Sequence, residues 1–188
     1  MKRGEVLELI GKYDEAESDY RAALDFAKDD LVLKASAQFA LGRLNRLRGE
    51  FATALEWLAQ TQATHTRLNN TAGLAQVLIE MGLVLRLKGE YAQAHELLNE
   101  GLVLAREAGD KLNTALALNA LGLVAYNQGD YAAARALHEE SLALKREMGD
   151  KWGLAWSLNN LGIVANEQGD HAAARAFYEE SLALRREI

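Results

Sequence analysis

The chain has 188 residues, 49% of them hydrophobic, and a formal net charge of −6 with no cysteine and no proline. The absence of cysteine excludes disulfides, thiolate metal sites and a cysteine nucleophile, and it fits a reducing compartment, so we expect a cytoplasmic protein. The acidic balance argues against nucleic acid as a partner, and no apolar stretch is long enough to span a membrane. Abundant Ala, Leu, Glu and Arg favour helix throughout.

A repeated unit organises the chain. Residues 118–147 and 158–187 lie 40 positions apart and are identical at 22 of 30 positions. Self-similarity at a period of roughly 20 to 50 residues indicates an array of stacked units. Each unit is marked by two glycines seven positions apart: Gly4 and Gly11, Gly42 and Gly49, Gly82 and Gly89, Gly122 and Gly129, and Gly162 and Gly169.

The predicted elements follow this period from the N-terminus to the C-terminus. We expect a single array over residues 1–188, with a partial first unit and a period of 38 residues between the first two units, against 40 later. The units run approximately over residues 1–30, 31–70, 71–110, 111–150 and 151–188.

Each unit contains two amphipathic segments. In the fourth unit, Leu118, Leu121 and Ala125 share one helical face, which predicts a first helix, helix A. A second apolar stripe beginning at Ala134 predicts helix B. The predicted fold is all-α, an α-α superhelix of antiparallel helix pairs, with helices of about 15 to 18 residues.

These residues resemble the tetratricopeptide repeat family. The family's unit has an apolar residue and a close-contact glycine in helix A, a glycine in the turn, and an aromatic residue and an alanine early in helix B. In the fourth unit of this chain these residues are, in that order, Leu121, Gly122, Gly129, Tyr131 and Ala134. The proline that usually ends the family's unit is absent, and the period is longer. The longer period is similar to that in kinesin light chains, Pins-type spindle-orientation proteins and bacterial signal-transduction regulators.

The resemblance implies a concave groove lined by helix A, in a scaffold that binds a peptide segment of a partner within a larger signalling or regulatory protein. The alternatives are a small-molecule-sensing domain of a bacterial regulator and a self-association module. The predicted groove residues are Phe39, Arg43, Arg46, Ile79, Leu83, Arg86, Asn119, Leu123, Tyr126, Trp156, Asn159, Ile163 and Asn166.

Charge divides this predicted groove into two halves. Arg43, Arg46 and Arg86 make its N-terminal half basic and predict a partner with acidic side chains or a free carboxylate. The alternative is that these arginines pair with Glu80 or remain solvated. In the other half, the amides of Asn119 and other asparagines can pair with a peptide backbone, as the resemblance to kinesin light chains implies.

No motif for catalysis, a cofactor or a metal is present, so we expect no enzyme. The four histidines lie at different phases of the repeat, which does not provide a metal-ligand set. Trp152 shares its phase with Leu112 and is expected in the core, whereas Trp156 is expected to be exposed. Phe177, Tyr178 and Leu182 are expected to keep apolar surface at the last repeat, which predicts either a longer parent protein or a homodimer through that repeat.

Overall fold

The computed structural model describes all 188 residues as ten α-helices without a strand, which confirms the predicted all-α fold. A short first helix is followed by nine helices of 15 to 18 residues. In chain order they are α1 (Lys2–Leu9), α2 (Tyr13–Ala27), α3 (Leu31–Arg48), α4 (Phe51–Arg67), α5 (Thr71–Lys88), α6 (Tyr91–Glu107), α7 (Lys111–Asn127), α8 (Tyr131–Met148), α9 (Lys151–Glu167) and α10 (His171–Glu187).

Each helix packs mainly on the helices next to it in the sequence. The contacts are most extensive within the pairs α3–α4, α5–α6, α7–α8 and α9–α10, and α5 also touches α7 directly. The odd-numbered helices are the helices A of the sequence analysis, and the even-numbered ones are the helices B. The core is therefore a row of small clusters along the array rather than one central core.

Short polar sequences between the helices determine where each helix starts and stops. Asp130 caps α8 by accepting a hydrogen bond from the backbone N–H of Ala133, and Asp170 caps α10 in the same way. Gly89 ends α5 with a φ of 83°, a left-handed conformation that glycine adopts without a steric penalty. These signals recur with the repeat, so the helix ends recur too.

The first glycine of each unit lies at a close contact between the two helices of a pair. A methyl group at Gly82 would lie 2.5 Å from Cγ of Leu98, and one at Gly122 would lie 2.7 Å from Cε1 of His138. The predicted close contact at Gly122 is confirmed.

Hydrogen bonds within the pairs also repeat with the period of the sequence. Ser141 Oγ donates to the carbonyl oxygen of Ala115 at 2.8 Å, and Ser181 Oγ donates to that of Ala155 at 2.7 Å. These buried hydrogen bonds tie helix B of a unit to its own helix A, so successive units keep one geometry.

The exposure of two outer regions was also predicted. Trp152 is 60% exposed, so the expectation that it belongs to the core is wrong: it lies in the first turn of α9, where no neighbouring helix covers it. Tyr178 and Leu182 are 38% and 48% exposed on α10, as expected for the last helix. Phe177 is half-buried, because it packs against the core cluster of Leu158 and Leu161. None of the ten helices combines the length and apolar character needed to cross a membrane.

We expect the amides of α4 to exchange with solvent faster than those of α6. The side chains of Thr61 and Thr64 donate back to the carbonyl oxygens four residues earlier, at 2.9 Å, and such bonds slightly weaken a helix. The equivalent positions of α6 carry Gly101 and Leu104. Hydrogen-exchange mass spectrometry that finds residues 51–68 to be the best-protected segment would contradict this expectation.

Candidate binding groove

The odd-numbered helices α1, α3, α5 and α7 provide most of the lining of three recesses. A recess of about 270 Å³ lies between α3, α5 and α7. It brings together six of the predicted groove residues, namely Phe39, Arg43, Arg46, Ile79, Leu83 and Asn119. The structure therefore assembles the N-terminal part of the predicted set around one cavity.

Two further recesses extend this surface along the helices. One of about 500 Å³ reaches the N-terminal ends of α3 and α5 and is lined by Val32 and Ser36, among others. The other, of about 490 Å³, lies between α1 and the C-terminal half of α3 and is lined by Leu9 and Leu47. Arg43 lines all three recesses.

Arg43 is neutralised within the chain. Its Nη2 donates to Oε2 of Glu8 at 3.0 Å, and the closest approach between the two charged groups is 2.9 Å. The hydroxyl of Tyr20 donates to the same carboxylate at 2.9 Å. Burial, together with Glu8, raises the pKa of Tyr20 to about 12. Sequence reasoning missed Glu8 as a partner because it lies 35 residues away, on the neighbouring helix A.

Arg46 is neutralised as well. Its Nε donates to Oε1 of Glu80 at 2.5 Å, which is the internal pairing that the sequence left open as an alternative. Glu80 is only 7% exposed, so this ion pair is largely shielded from water. Neither Arg46 nor Arg43 is therefore a free cation in the groove.

Arg86 is different, although it stands at the same place in its repeat as Arg46. The place corresponding to Glu80 is occupied by Ala120, so no carboxylate faces Arg86. Its Nη1 donates only to Oδ1 of Asn127 at 3.3 Å, and its Nε is buried without a hydrogen-bond partner. Burial, with a smaller contribution from the charge on Arg46, lowers the pKa of Arg86.

The asparagines of the groove partly pair with each other. Asn160 on α9 donates to Oδ1 of Asn119 on α7 at 2.9 Å. The amide nitrogen of Asn119 is still available as a donor. Asn159, which precedes Asn160 in the sequence, is half-buried. Asn166 lies further along α9, where it is exposed and bonded to Nδ1 of His171 at 3.1 Å.

The remaining predicted residues form the C-terminal part of the surface. Leu123 and Ile163 are half-buried at equivalent places of α7 and α9. Tyr126 packs against Tyr131, with ring centroids 5.7 Å apart, so it is held against its own repeat. Trp156 is 54% exposed, as expected, and the guanidinium of Arg185 lies 5.2 Å from its ring centroid.

Sequence reasoning missed an apolar patch at the N-terminal ends of α7 and α9. Leu112, Leu116 and Trp152 are 52%, 41% and 60% exposed. On α7, Leu116 follows Leu112 by one helical turn, and on α9, Trp156 follows Trp152 by one turn. The signal was present in the repeat phases, because Leu116 and Trp156 replace Ser36 and Gln76 at one position of helix A. No group of three or more His, Cys, Asp or Glu side chains is placed to hold a metal ion.

Ten helices in stacked pairs define the chain as an α-solenoid of tandem repeats. Models of the tetratricopeptide repeat match residues 1–67, 73–147 and 114–187, which together span nearly the whole chain. The chain belongs to the tetratricopeptide repeat family, so the resemblance noted in the sequence is confirmed. Members of this family are commonly protein–protein interaction modules, typically without enzymatic activity.

Solved structures share the fold. BtubC (BKLC) from P. vanneervenii aligns with a TM-score of 0.78 and 22% identity, covering 98% of this chain and 77% of that one. A Rap protein complexed with Competence and Sporulation Factor aligns at 0.90 with 17% identity, and the chain spans 52% of its length. Putative kinesin light chain repeats from Podosopora anserina align at 0.69 with 15% identity, covering 99% of this chain and 93% of that one. No curated protein sequence matches the chain significantly.

Proposed function

We propose that the groove binds a peptide segment of a partner protein and that an acidic residue of this segment pairs with Arg86. The observation that carries the proposal is that Arg86, a predicted groove residue, is a half-buried cation without a carboxylate partner. Its guanidinium can bind a carboxylate through two parallel hydrogen bonds. Arg43 and Arg46 stabilise the groove wall through Glu8 and Glu80 rather than binding the partner.

The rest of the segment lies along the C-terminal half of the groove. There the amide of Asn119 offers a donor, and Trp156 offers an exposed aromatic ring. The Rap protein of similar fold was solved complexed with Competence and Sporulation Factor, which supports a ligand-binding role. We extend the proposal to a role within a larger signalling or regulatory protein, as the resemblance to bacterial signal-transduction regulators implies.

The repeat itself supplies a sharp test. In Ala120→Glu, a carboxylate stands at the place that Glu80 occupies opposite Arg46, so it should neutralise Arg86 from within the chain. Ala120→Gln has nearly the same volume without the charge and is the matched control. Both variants are compared with the wild-type chain by thermal denaturation, to separate loss of fold from loss of binding.

We expect peptides selected by the wild-type chain from a random display library to be enriched in Asp and Glu. Their affinity should be about micromolar, roughly −8 kcal/mol. Ala120→Glu should weaken binding by about tenfold to a hundredfold, because hydrogen bonds to charged groups contribute about 1.5 to 3 kcal/mol. Ala120→Gln should bind much closer to wild type. Selected peptides without acidic enrichment, or equal binding by both variants, would contradict the pairing with Arg86.

A second candidate function is the sensing of a small molecule. The recess of about 500 Å³ falls in the usual size range of such sites, roughly 300 to 1,000 Å³, and its lining includes His65, Asn70, Gln76 and Asn113. Thermal denaturation with sugars and nucleotides distinguishes the two functions. Stabilisation by one of these compounds, without peptide binding, would favour the sensor.

A further inference from the structure

Three leucines occupy the same place in the first three repeats, within the last two residues of α1, α3 and α5. Leu9, Leu47 and Leu87 each lie five residues after the first glycine of their unit, and we call them the leucine row. They are 86%, 43% and 42% exposed. The fourth and fifth repeats carry Asn127 and Glu167 at this place. Exposed apolar side chains that line up in this way indicate an interaction surface, unlike the single exposed residues of most proteins.

The leucine row borders the groove. Leu9 and Leu47 line one recess of about 490 Å³ together with the groove residues Arg43 and Arg46. Helices α3 and α5 are in direct contact, and the axes of packed helices lie about 8 to 10 Å apart, so we expect Leu47 and Leu87 at about this separation. Leu87 therefore extends the row beyond the recess that Leu9 and Leu47 line.

This spacing favours a helix over an extended strand as the occupant. Seven residues of an α-helix rise about 10.5 Å, so an apolar residue at every seventh position meets one leucine after another. An extended strand presents side chains on one face about every 6.6 Å, which does not match a step of about 10 Å.

The charged residues beside the leucine row favour one orientation of the bound helix. Leu47 lies between Arg46 and Arg48, whose guanidinium groups are already held by the carboxylates of Glu80 and Glu17. Leu87 follows Arg86, which has no carboxylate partner. The surplus positive charge is thus at the Leu87 end.

We infer that the leucine row binds an amphipathic helix of a partner protein, with apolar residues at seven-residue spacing and acidic residues next to the one that contacts Leu87. This inference rests on the proposed function and specifies the form of the partner. It also assigns a binding role to three residues outside the predicted groove set.

Two synthetic peptides test the inference. Both have about 20 residues and the same composition of Leu, Ala, Glu and Gln, with leucine at every seventh position in one and at every fifth in the other. They are titrated against the wild-type chain, against Leu47→Ser/Leu87→Ser, and against Asn127→Ser/Glu167→Ser. The last variant is the matched control, because it changes the same place in the later repeats. Urea denaturation verifies that both variants are folded.

We expect the peptide with leucine at every seventh position to bind the wild-type chain and the control variant equally. It should bind the Leu47→Ser/Leu87→Ser variant at least about tenfold more weakly. The peptide with leucine at every fifth position should bind all three proteins more weakly than the other peptide binds the wild-type chain. Equal binding of both peptides, no binding of either, or binding that survives the leucine substitutions would overturn the inference. So would sedimentation showing a wild-type dimer that the leucine variant abolishes, since the row would then be covered by a second copy.

The two proposals fail separately. If library-selected acidic peptides lose affinity for Ala120→Glu but not for Leu47→Ser/Leu87→Ser, the groove binds through Arg86 and the helix inference alone is wrong. If Ala120→Glu has no effect while the leucine substitutions do, the pairing with Arg86 is the part that fails.

Discussion

Unfolding titrations should show that His138 alone costs the array about 3 kcal/mol of stability between pH 6.5 and pH 4, a contribution that the variant His138→Leu removes. His138 lies in α8 at the close contact with Gly122 and is only 1% exposed. Its Nδ1 is buried without a hydrogen-bond partner. Burial, with a smaller contribution from the charge on Lys145, lowers the pKa of His138 to about 4.

The direction of the effect follows from where the proton binds. In the unfolded chain the histidine has a pKa of about 6.5, so below that pH it takes up a proton that the folded state excludes. Stability is therefore complete above pH 6.5 and falls until the pH reaches about 4, where the folded protein is protonated too. Each unit of difference between the two pKa values contributes about 1.4 kcal/mol, which gives the expected total.

Urea denaturation of the wild-type chain and His138→Leu, at about pH 7 and about pH 4.5, measures this effect. The matched control is His95→Leu, because His95 is exposed on α6. The carboxylates are the same in all three proteins, so their contributions largely cancel in the comparison. His138→Leu should also be more stable at neutral pH, since Leu58 and Leu98 occupy its place in other repeats. Parallel pH profiles for all three proteins would refute the role of His138.

The substitution Gly122→Leu should lower the free energy of unfolding by about 1 to 3 kcal/mol, because it overpacks the contact between α7 and α8. Even a single added carbon at Gly122 would lie 2.7 to 2.9 Å from three atoms of the His138 ring. Helix propensity works in the opposite direction, since glycine is the less favourable residue within a helix. A net loss of stability would therefore come from packing.

A double-mutant cycle isolates this contact. Gly122→Ala and His138→Ala are made separately and together, and the double variant should be more stable than the sum of the single effects implies. Ala143→Leu is a control for Gly122→Leu, because it adds most of the same apolar bulk at an exposed place of α8. A urea midpoint for Gly122→Leu equal to that of the wild-type chain would contradict the close contact.

The position of a residue within the repeat predicted which side chains share the groove surface, but not which charges pair there. The helical period predicted that the side chains of Phe39, Ile79 and Leu83 share a surface, and they line one recess. It could not predict which charges meet across that surface. Glu8 reaches Arg43 from 35 residues away, and such a contact depends on the distance between neighbouring repeats.

The burial of Trp152 could not be predicted from its position within the repeat. Its phase matches Leu112 and Val32, and three large apolar residues at one phase suggested a buried position. All three are more than half exposed, because this phase falls in the first turn of helix A, beyond the reach of the preceding helix B. Phase specifies the direction of a side chain around its helix, but its burial depends on whether a neighbour extends far enough along the axis.

By itself the sequence determined the repeat, the two helices of each unit and the close contact at Gly122, because these depend on local periodicity and on the space available to a glycine. Tertiary structure alone decided which groove charges are free. Arg46 and Arg86 occupy the same place in consecutive repeats, yet Arg46 meets Glu80 and Arg86 meets no carboxylate. The reason is that an ion pair needs a partner within about 4 Å, and stacking brings Ala120 rather than an acid to the place opposite Arg86.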